Sequence, residues 1–208
     1  NDEALMELYF EKGVLTQDEL RSGLKLGLAK RDLIPVFCAS GKRDIGAKRL
    51  MEFIINVAPG PLKAPNFVTV DGREIEPDSN GPTALFVFKT TVEPHLGEVT
   101  YFRVVSGKVT EGMELVNSKT GNKEKISQLF AVAGKNRVKV TEMMAGDIGC
   151  TVKLKGTRTN QTLSTPGSNI EIDPIRFPEP RYRVAVKAVK TGEDEKLGEL
   201  LNRRSEER

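Results

Sequence analysis

The chain has 208 residues, of which 38% are hydrophobic and 29% are charged, a composition typical of a globular protein with one or two domains. No apolar run approaches the roughly 20 residues that a membrane-spanning helix needs. The first residues lack a basic-then-apolar leader, so we expect a cytoplasmic protein with no membrane partner. The formal net charge of +3 is unevenly spread, because residues 89–165 hold 12 Lys and Arg against 7 Asp and Glu. Such a segment either binds a polyanion, most simply nucleic acid, or is a solvated face rich in lysine.

The first 64 residues are predicted to form two helices, a strand and a third helix. Thr16 and Glu19 have the spacing of a capping box at the start of the second helix. The run Leu-Ile-Pro-Val-Phe-Cys at 33–38 is continuously apolar, as a strand covered on both faces would be. The third helix is expected to turn four apolar residues inward: Leu50, Phe53, Ile54 and Val57. One strand makes no sheet, so we expect the remnant of an α/β domain whose other strands precede Asn1.

The middle of the chain, residues 65–172, is predicted to be a β-barrel. The proline-rich stretch 58–65 marks a domain boundary, and the sequence period then changes from helical to twofold. Many short alternating runs separated by glycines, with no convincing helix, indicate a closed or nearly closed antiparallel barrel. Phe86, Phe88 and Phe102 are expected to point into its core. Residues 173–208 begin with a second proline-rich stretch and continue as one alternating strand, 181–189, and one helix.

The stretch Ser40-Gly41-Lys42 raises the question of a phosphate-binding loop. That loop requires Gly, four residues, Gly-Lys and then Ser or Thr, so that backbone N–H groups surround the phosphates and the hydroxyl holds magnesium. Here Val36 occupies the first glycine position and Arg43 the hydroxyl position. We therefore predict that this loop does not hold a triphosphate.

No catalytic or metal-binding constellation is found in the sequence. His95 is the sole histidine, and the sequence provides neither a nucleophile nor an orienting acid for it. No metal-ligand spacing occurs. Cys38 and Cys150 each lie in an apolar run and are expected to be small buried hydrophobes rather than a disulfide pair.

Three consecutive segments resemble elongation factor G, a member of the translational GTPase family. The loop Cys-Ala-Ser-Gly and the helix ending at Ala-Pro-Gly-Pro resemble the end of its GTP-binding domain. The segment 91–164 is similar to its domain II, with matching marks that include Arg103-Val104, Ser106-Gly107 and Ala145-Gly146-Asp147-Ile148. The segment 181–203 resembles the first strand and helix of its ferredoxin-like third domain. The expected organisation is a GTP-domain remnant at 1–64, a domain II barrel at 65–172 and the start of domain III at 173–208.

The resemblance implies a GTP-dependent ribosomal translocase that moves tRNA and mRNA. Its intact form would be a GTPase that binds GTP or GDP with magnesium, and the missing domains would be partners of this internal fragment. Ser40, Gly41 and Lys42 match the family's fifth guanine-nucleotide motif, with Gly41 where the family usually has Ala. Because the phosphate loop and switch regions are absent, the fragment alone is expected to be inactive and to hold no cofactor.

For the barrel, the resemblance implies docking on small-subunit ribosomal RNA. Two candidate surfaces follow from the basic residues. One is the turn that carries Lys119, Lys123 and Lys125, and the other is formed by His95, Gly97 and Arg103.

Two alternatives remain open. The chain could come from another translational GTPase, such as release factor three, a ribosome-protection protein or a specialised paralogue of elongation factor G. It could also be a stand-alone RNA-binding barrel with helical additions, although the isolated apolar run at 33–38 argues against a complete protein of that kind.

Overall fold

The structure, a computed structural model, describes residues 3–93, 96–134, 136–189, 192, 195–198, 200 and 201. The chain divides into two compact units, Asn1–Pro65 and Asn66–Arg208. The first unit is helical and the second contains all of the strands within the described residues.

The first unit contains three α-helices, α1 (Glu3–Lys12), α2 (Gln17–Lys30) and α3 (Ala47–Asn56), and 3₁₀ turns at Gly41–Arg43 and Pro61–Lys63. The predicted capping box is confirmed: the Glu19 N–H donates to the Thr16 hydroxyl, and the Thr16 N–H donates to the Glu19 carboxylate. No described residue of the three helices is fully buried. Of the four residues expected to point inward from the third helix, Val57 is buried, whereas Ile54 is 48% exposed, so its inward placement was wrong.

The strand predicted at 33–38 is not formed. Residues 32–39 pair with no other strand, and the one ladder contact of this region is the isolated bridge between Ser40 and Ile45. A strand requires a hydrogen-bonded neighbour, and none of the described residues of this unit provides one. Ile34 and Val36 are consequently 85% and 88% exposed, and Cys38, expected to be buried, is exposed as well.

The second unit is built from twelve strands within the described residues. Their bounds are β1 (Phe67–Val68), β2 (Glu74–Ile75), β3 (Ala84–Glu93), β4 (Gly97–Ser106), β5 (Lys108–Thr110), β6 (Glu114–Asn117), β7 (Lys123–Lys125), β8 (Leu129–Ala133), β9 (Asn136–Val140), β10 (Glu142–Met144), β11 (Ile148–Val152) and β12 (Gln161–Ser164). Eight of them form one antiparallel sheet in the order β7-β6-β12-β3-β4-β11-β8-β9. The separate pairs are β5 with β10 and β1 with β2.

The large sheet curls around a single interior, which confirms the predicted antiparallel barrel. Side chains from both ends of the strand order meet there, because Leu115 of β6 and Leu129 of β8 share a core with Phe102 of the central strand β4. The β5–β10 pair adds Val109 and Met143 to the same core. The β5–β10 pairing continues one residue further, since the Glu111 N–H donates to the Thr141 carbonyl at 3.1 Å.

The outer face of the sheet carries two further clusters. Phe86, Val105 and Ile172 are buried together, with Phe67 and Phe88 packed against them. The expectation that Phe86 and Phe88 point inward was therefore wrong, whereas Phe102 does lie in the interior. The reason is strand alternation: Leu85 and Val87 of β3 point into the interior, so Phe86 between them faces outward. Phe88, which a β-bulge between Val87 and Lys89 leaves without a partner on β4, lies on the same outer face.

The second outer cluster contains Cys150 between Val99 and Val152. Cys150 is fully buried, as expected from its apolar run, and this burial raises the pKa of its thiol. The Cys150 thiol therefore stays protonated and acts as a small apolar side chain.

Residues 174–189 form no strand, so the strand expected at 181–189 is absent, and Tyr182 is 83% exposed. Residues 195–198, 200 and 201 are helical.

Gly107, which links β4 to β5, is the most crowded of the barrel's turn glycines. Its φ is +69°, and a Cβ there would lie 2.6 Å from the Thr83 Cα and 2.8 Å from the Gly81 carbonyl oxygen. Gly112 has a similar φ of +86° but no atom within 4 Å of the equivalent position. A side chain at Gly112 would therefore meet only backbone strain, whereas a side chain at Gly107 would also clash with neighbouring backbone atoms.

We predict that Gly107→Ala destabilises the barrel far more than Gly112→Ala. The left-handed conformation costs an alanine about 1–2 kcal/mol at either site. At Gly107 the backbone clash adds roughly 1–3 kcal/mol of overpacking. Urea unfolding of the two variants measures the difference, and equal losses would show that Thr83 moves aside without cost.

Candidate nucleic-acid interface

The loop that carries Ser40, Gly41 and Lys42 forms a tight turn closed by the Ser40–Ile45 bridge. The Ser40 N–H donates to the Ile45 carbonyl at 2.9 Å, and the Ile45 N–H donates back to the Ser40 carbonyl at 3.1 Å. The Ser40 hydroxyl makes no capping bond to the 3₁₀ turn that follows, and Gly41 and Lys42 are exposed. The three residues thus present one hydroxyl, one ammonium and backbone groups on a single loop.

Glycine at position 41 is not required by the geometry of this loop. Gly41 has no positive φ, and a Cβ there would meet no atom within 4 Å. The alanine that the family usually carries would therefore fit without rearrangement. Gly46, at the start of α3, differs: its φ is +79°, and a Cβ would lie 3.0 Å from the Cys38 carbonyl oxygen.

The three lysines of the first predicted RNA surface lie on the hairpin of β6 and β7, which we call the lysine hairpin (residues 114–125). Lys119 is in its turn, and Lys123 and Lys125 are on β7. All three are exposed. Lys123 forms a 2.8 Å ion pair with Glu114, whose carboxylate raises the pKa of that lysine by hydrogen bonding. Lys119 and Lys125 have no ion pair with a residue of the described structure.

A buried polar network holds this hairpin in place. Asn117, with no exposed surface, accepts hydrogen bonds at its side-chain oxygen from the N–H groups of Lys119 and Thr120. Its amide nitrogen donates to Gln161 at 2.9 Å and to Thr157 at 3.3 Å. Each polar group of the Asn117 side chain is therefore satisfied, and the turn that carries Lys119 is fixed to the barrel.

Glu124 completes the network from the opposite strand of the hairpin. This carboxylate is only 3% exposed, and it accepts hydrogen bonds from the N–H groups of Lys155 and Gly156 and from the Thr157 hydroxyl, all within 2.9–3.0 Å. Neither Asn117 nor Glu124 was predicted from the sequence. The available signal was the alternation Lys123-Glu124-Lys125, which turns the acidic residue to the face opposite the lysines.

The second predicted surface is not brought together with the first. Arg103 lies on the outer face of β4, where its guanidinium carbon is 5.2 Å from the centroid of the Phe67 ring. Gly97 begins β4 with a φ of +73° and open space around it. His95 lies outside the described residues. Because β4 is separated from the lysine hairpin by β3 and β12, Arg103 and Lys123 belong to different parts of the sheet.

The start of β4 is held instead by a cluster that joins three strands. Arg137 of β9 forms a bidentate ion pair with Glu93 of β3 and donates a 2.9 Å hydrogen bond to the Tyr101 hydroxyl of β4. Hydrogen bonding from the guanidinium holds the pKa of Glu93 below its ordinary value, and Glu93 in turn raises the pKa of Arg137. The side chains of Arg137 and Glu93 are 20% and 31% exposed. Such a half-buried bidentate pair stabilises more than an open surface pair.

The described residues include no group of three or more His, Cys, Asp or Glu side chains arranged to hold a metal ion. Among the same residues, no helix is both long enough and apolar enough to cross a lipid bilayer.

The chain is similar to known translation factors. Residues 82–166 match the family model described as elongation factor G domain 2. Over 99% of its length the chain is 31% identical to elongation factor G 2 of Syntrophomonas wolfei subsp. wolfei (strain DSM 2245B / Goettingen), and it spans 30% of that protein. A crystal structure of a protein from Thermus thermophilus matches 99% of this chain and 29% of its own, with a TM-score of 0.77 and 27% identity.

These comparisons show that the barrel is similar to domain 2 of elongation factor G. They confirm the predicted resemblance of the chain to elongation factor G.

The Glu93 cluster predicts an acid-dependent loss of stability. The folded-state pKa of Glu93 lies below its ordinary value of 4.5. The stabilisation is therefore present above pH 4.5 and is lost as the pH falls through the lower folded value. Urea unfolding between pH 7 and pH 3 should show a steeper loss for the native chain than for Glu93→Gln. Glu179→Gln, an exposed site, is the control and should follow the native chain. Parallel curves for the native chain and Glu93→Gln would contradict the prediction.

Proposed function

We propose that this chain is part of a ribosomal translocase of the elongation factor G type, and that its barrel docks on small-subunit ribosomal RNA. The similarity to elongation factor G 2 supports the class of protein. The ribosomal partner follows from the family and from the chemistry of the barrel surface. The whole protein would be a cytoplasmic GTPase that uses GTP with magnesium.

One observation carries the RNA-docking proposal: the lysine hairpin presents exposed cations on a rigid base. Lys119, Lys123 and Lys125 are exposed, while Asn117 and Glu124 beneath them are buried and hydrogen-bonded. Flexible surface lysines lose conformational entropy when they bind. Here the backbone that carries the lysines is already ordered, so binding to the phosphates of folded RNA costs only side-chain entropy. Lys123 can exchange its carboxylate partner for a phosphate, because an exposed ion pair is worth little.

For the loop at Ser40, Gly41 and Lys42, we propose a contact with the guanine base of the nucleotide in the whole protein. The Ser40 hydroxyl and the exposed backbone of Gly41 could supply hydrogen bonds to a base. The Lys42 ammonium lies beside them. These groups fit a supporting role, because one loop cannot supply enough fixed donors and acceptors to offset the cost of holding a nucleotide. Phosphate and magnesium binding would come from residues of the whole protein.

We predict that the 208-residue chain binds isolated small ribosomal subunits through the lysine hairpin. Replacing Lys119, Lys123 and Lys125 together by Glu should weaken binding by at least about tenfold at 50 mM salt, since each phosphate contact contributes to affinity. The matched control replaces Lys108, Lys139 and Lys153 of the same barrel by Glu, which changes the net charge equally. Co-sedimentation measures both. If both variants lost the same affinity for small subunits, the effect would be due to net charge alone, and the lysine hairpin would not be the binding surface.

We also predict that the chain alone shows no GTP or GDP binding in isothermal titration calorimetry, with or without magnesium. The single loop at Ser40 leaves the phosphates without a cradle, as the failed Gly-Lys pattern at Val36 and Arg43 indicates. A micromolar dissociation constant for GDP would contradict this. A Ser40→Ala variant would then show whether the loop itself is responsible.

A further inference from the structure

A polar cleft of about 360 Å³ lies beside the lysine hairpin on the outer face of β6 and β12. Val116 of β6, Ser118 just after that strand and Ser164 of β12 line it, and Asn169 and Glu171 of the segment after β12 line it as well. Its volume falls at the lower end of the range of roughly 300–1,000 Å³ for small-ligand pockets. The cleft is therefore large enough for a single small polar group.

The register of the hairpin places a lysine on the same face as the cleft. Lys123 of β7 is directly opposite Val116 of β6 in the antiparallel ladder. Opposite residues of such a ladder project to the same side of the sheet. Gly121 of the intervening turn also lines the cleft, and Lys119 lies two residues before it. Lys119 and Lys123 thus lie on the hairpin next to the cleft, with the Lys123 ammonium paired to Glu114, while the lining itself contains no Lys or Arg.

Most polar groups of the lining are already engaged within the protein. The Ser118 hydroxyl donates to the Ile170 carbonyl at 2.6 Å, and both ends of the Asn117 amide are satisfied. Two side chains remain available. The Asn169 amide and the Glu171 carboxylate make no hydrogen bond or ion pair with any described residue. A carboxylate only accepts hydrogen bonds, whereas an amide both donates and accepts.

This arrangement defines the chemistry of the ligand. A phosphate inside the cleft would be repelled by Glu171, but a phosphate at its border would meet Lys119 and Lys123. The group inside must be uncharged and must offer N–H donors, preferably two adjacent ones that a carboxylate can accept together. Among the RNA bases, guanine presents two such donors on its Watson–Crick edge. That edge is accessible only when the base is unpaired and unstacked, as in loops and bulges.

We propose that the cleft receives one unstacked guanine of an RNA strand, with Glu171 accepting from the Watson–Crick edge and Lys119 and Lys123 contacting the flanking phosphates. This inference rests on the proposed RNA-docking function and adds base selectivity to it. Asn169 supplies a donor or acceptor at the side of the base.

The experiment is an NMR titration of the 208-residue chain with single-stranded RNA pentamers that differ only in the central base. We expect the guanine pentamer to bind about tenfold more tightly than the uracil pentamer, within the discrimination typical of a good bidentate base contact. Shifts of the Asn169 and Glu171 backbone signals report the site. Glu171→Gln should abolish the preference, so that all four pentamers bind with equal affinity, and the loss of a negative charge should make that affinity no weaker than the native affinity for the uracil pentamer. Glu179→Gln, outside the cleft, should retain it.

Equal affinities for all four pentamers, or a guanine preference that survives Glu171→Gln, would overturn the proposal. Lys119→Glu with Lys123→Glu separates this failure from failure of the docking function. If the double variant weakens all pentamers but the native chain shows no base preference, docking holds and base reading fails. If the guanine preference persists and the double variant weakens no pentamer, base reading holds and the phosphate contacts assigned to the hairpin fail.

Discussion

The barrel depends on the pairing of β3 with β4, two ten-residue strands that are covered on both faces. One face supplies Leu85, Val87, Phe102 and Val104 to the interior, and the other needs cover from outside the sheet. Residues 170–172 and the β1–β2 pair provide part of that cover, packing Ile170, Ile172 and Phe67 against Phe86 and Val105. Because β3 and β4 must be covered on both faces, the β1–β2 pair and residues 170–172 fold together with the sheet as one unit.

The same requirement determines where polar groups can lie. A charged or amide side chain buried in the barrel wall loses its contacts with water, and Asn117 and Glu124 replace those contacts with hydrogen bonds to residues 155–161. Their partners are mostly backbone N–H groups and hydroxyls, which have little freedom to move. A hairpin connected to such a network keeps its orientation when its surface charges change partners. The backbone that carries the exposed lysines is therefore held by the buried side chains beneath it.

The barrel was predictable from the sequence because its signals are local. Alternation in 84–93 and 97–106 and glycines with positive φ at turns, such as Gly107 and Gly112, reflect backbone geometry that each segment largely sets for itself. The outward orientation of Phe86 was not predictable, because both faces of β3 are apolar and the cover over its outer face comes from a distant segment around Ile172. The strand expected at 33–38 does not form for a related reason: an apolar run can form a strand only when another strand is available to hydrogen-bond with it. For the candidate site, the exposed lysines were visible in the sequence, whereas Asn117, Glu124 and the cleft at Glu171 depend on contacts between residues far apart in the chain.

The ion pair between Lys123 and Glu114 changes how ionic strength should affect any contact with a polyanion. A free lysine that meets a phosphate releases a condensed counterion from the nucleic acid, and this release gives binding its steep dependence on salt. When Lys123 binds a phosphate, Glu114 loses its partner and must be compensated by a cation from solution. Uptake of that cation offsets the release, so this lysine adds orientation to the complex but little to its salt dependence. In the lysine hairpin, binding through Lys119 and Lys125 should therefore weaken with salt, whereas binding through Lys123 should depend on salt much less because of its pairing with Glu114.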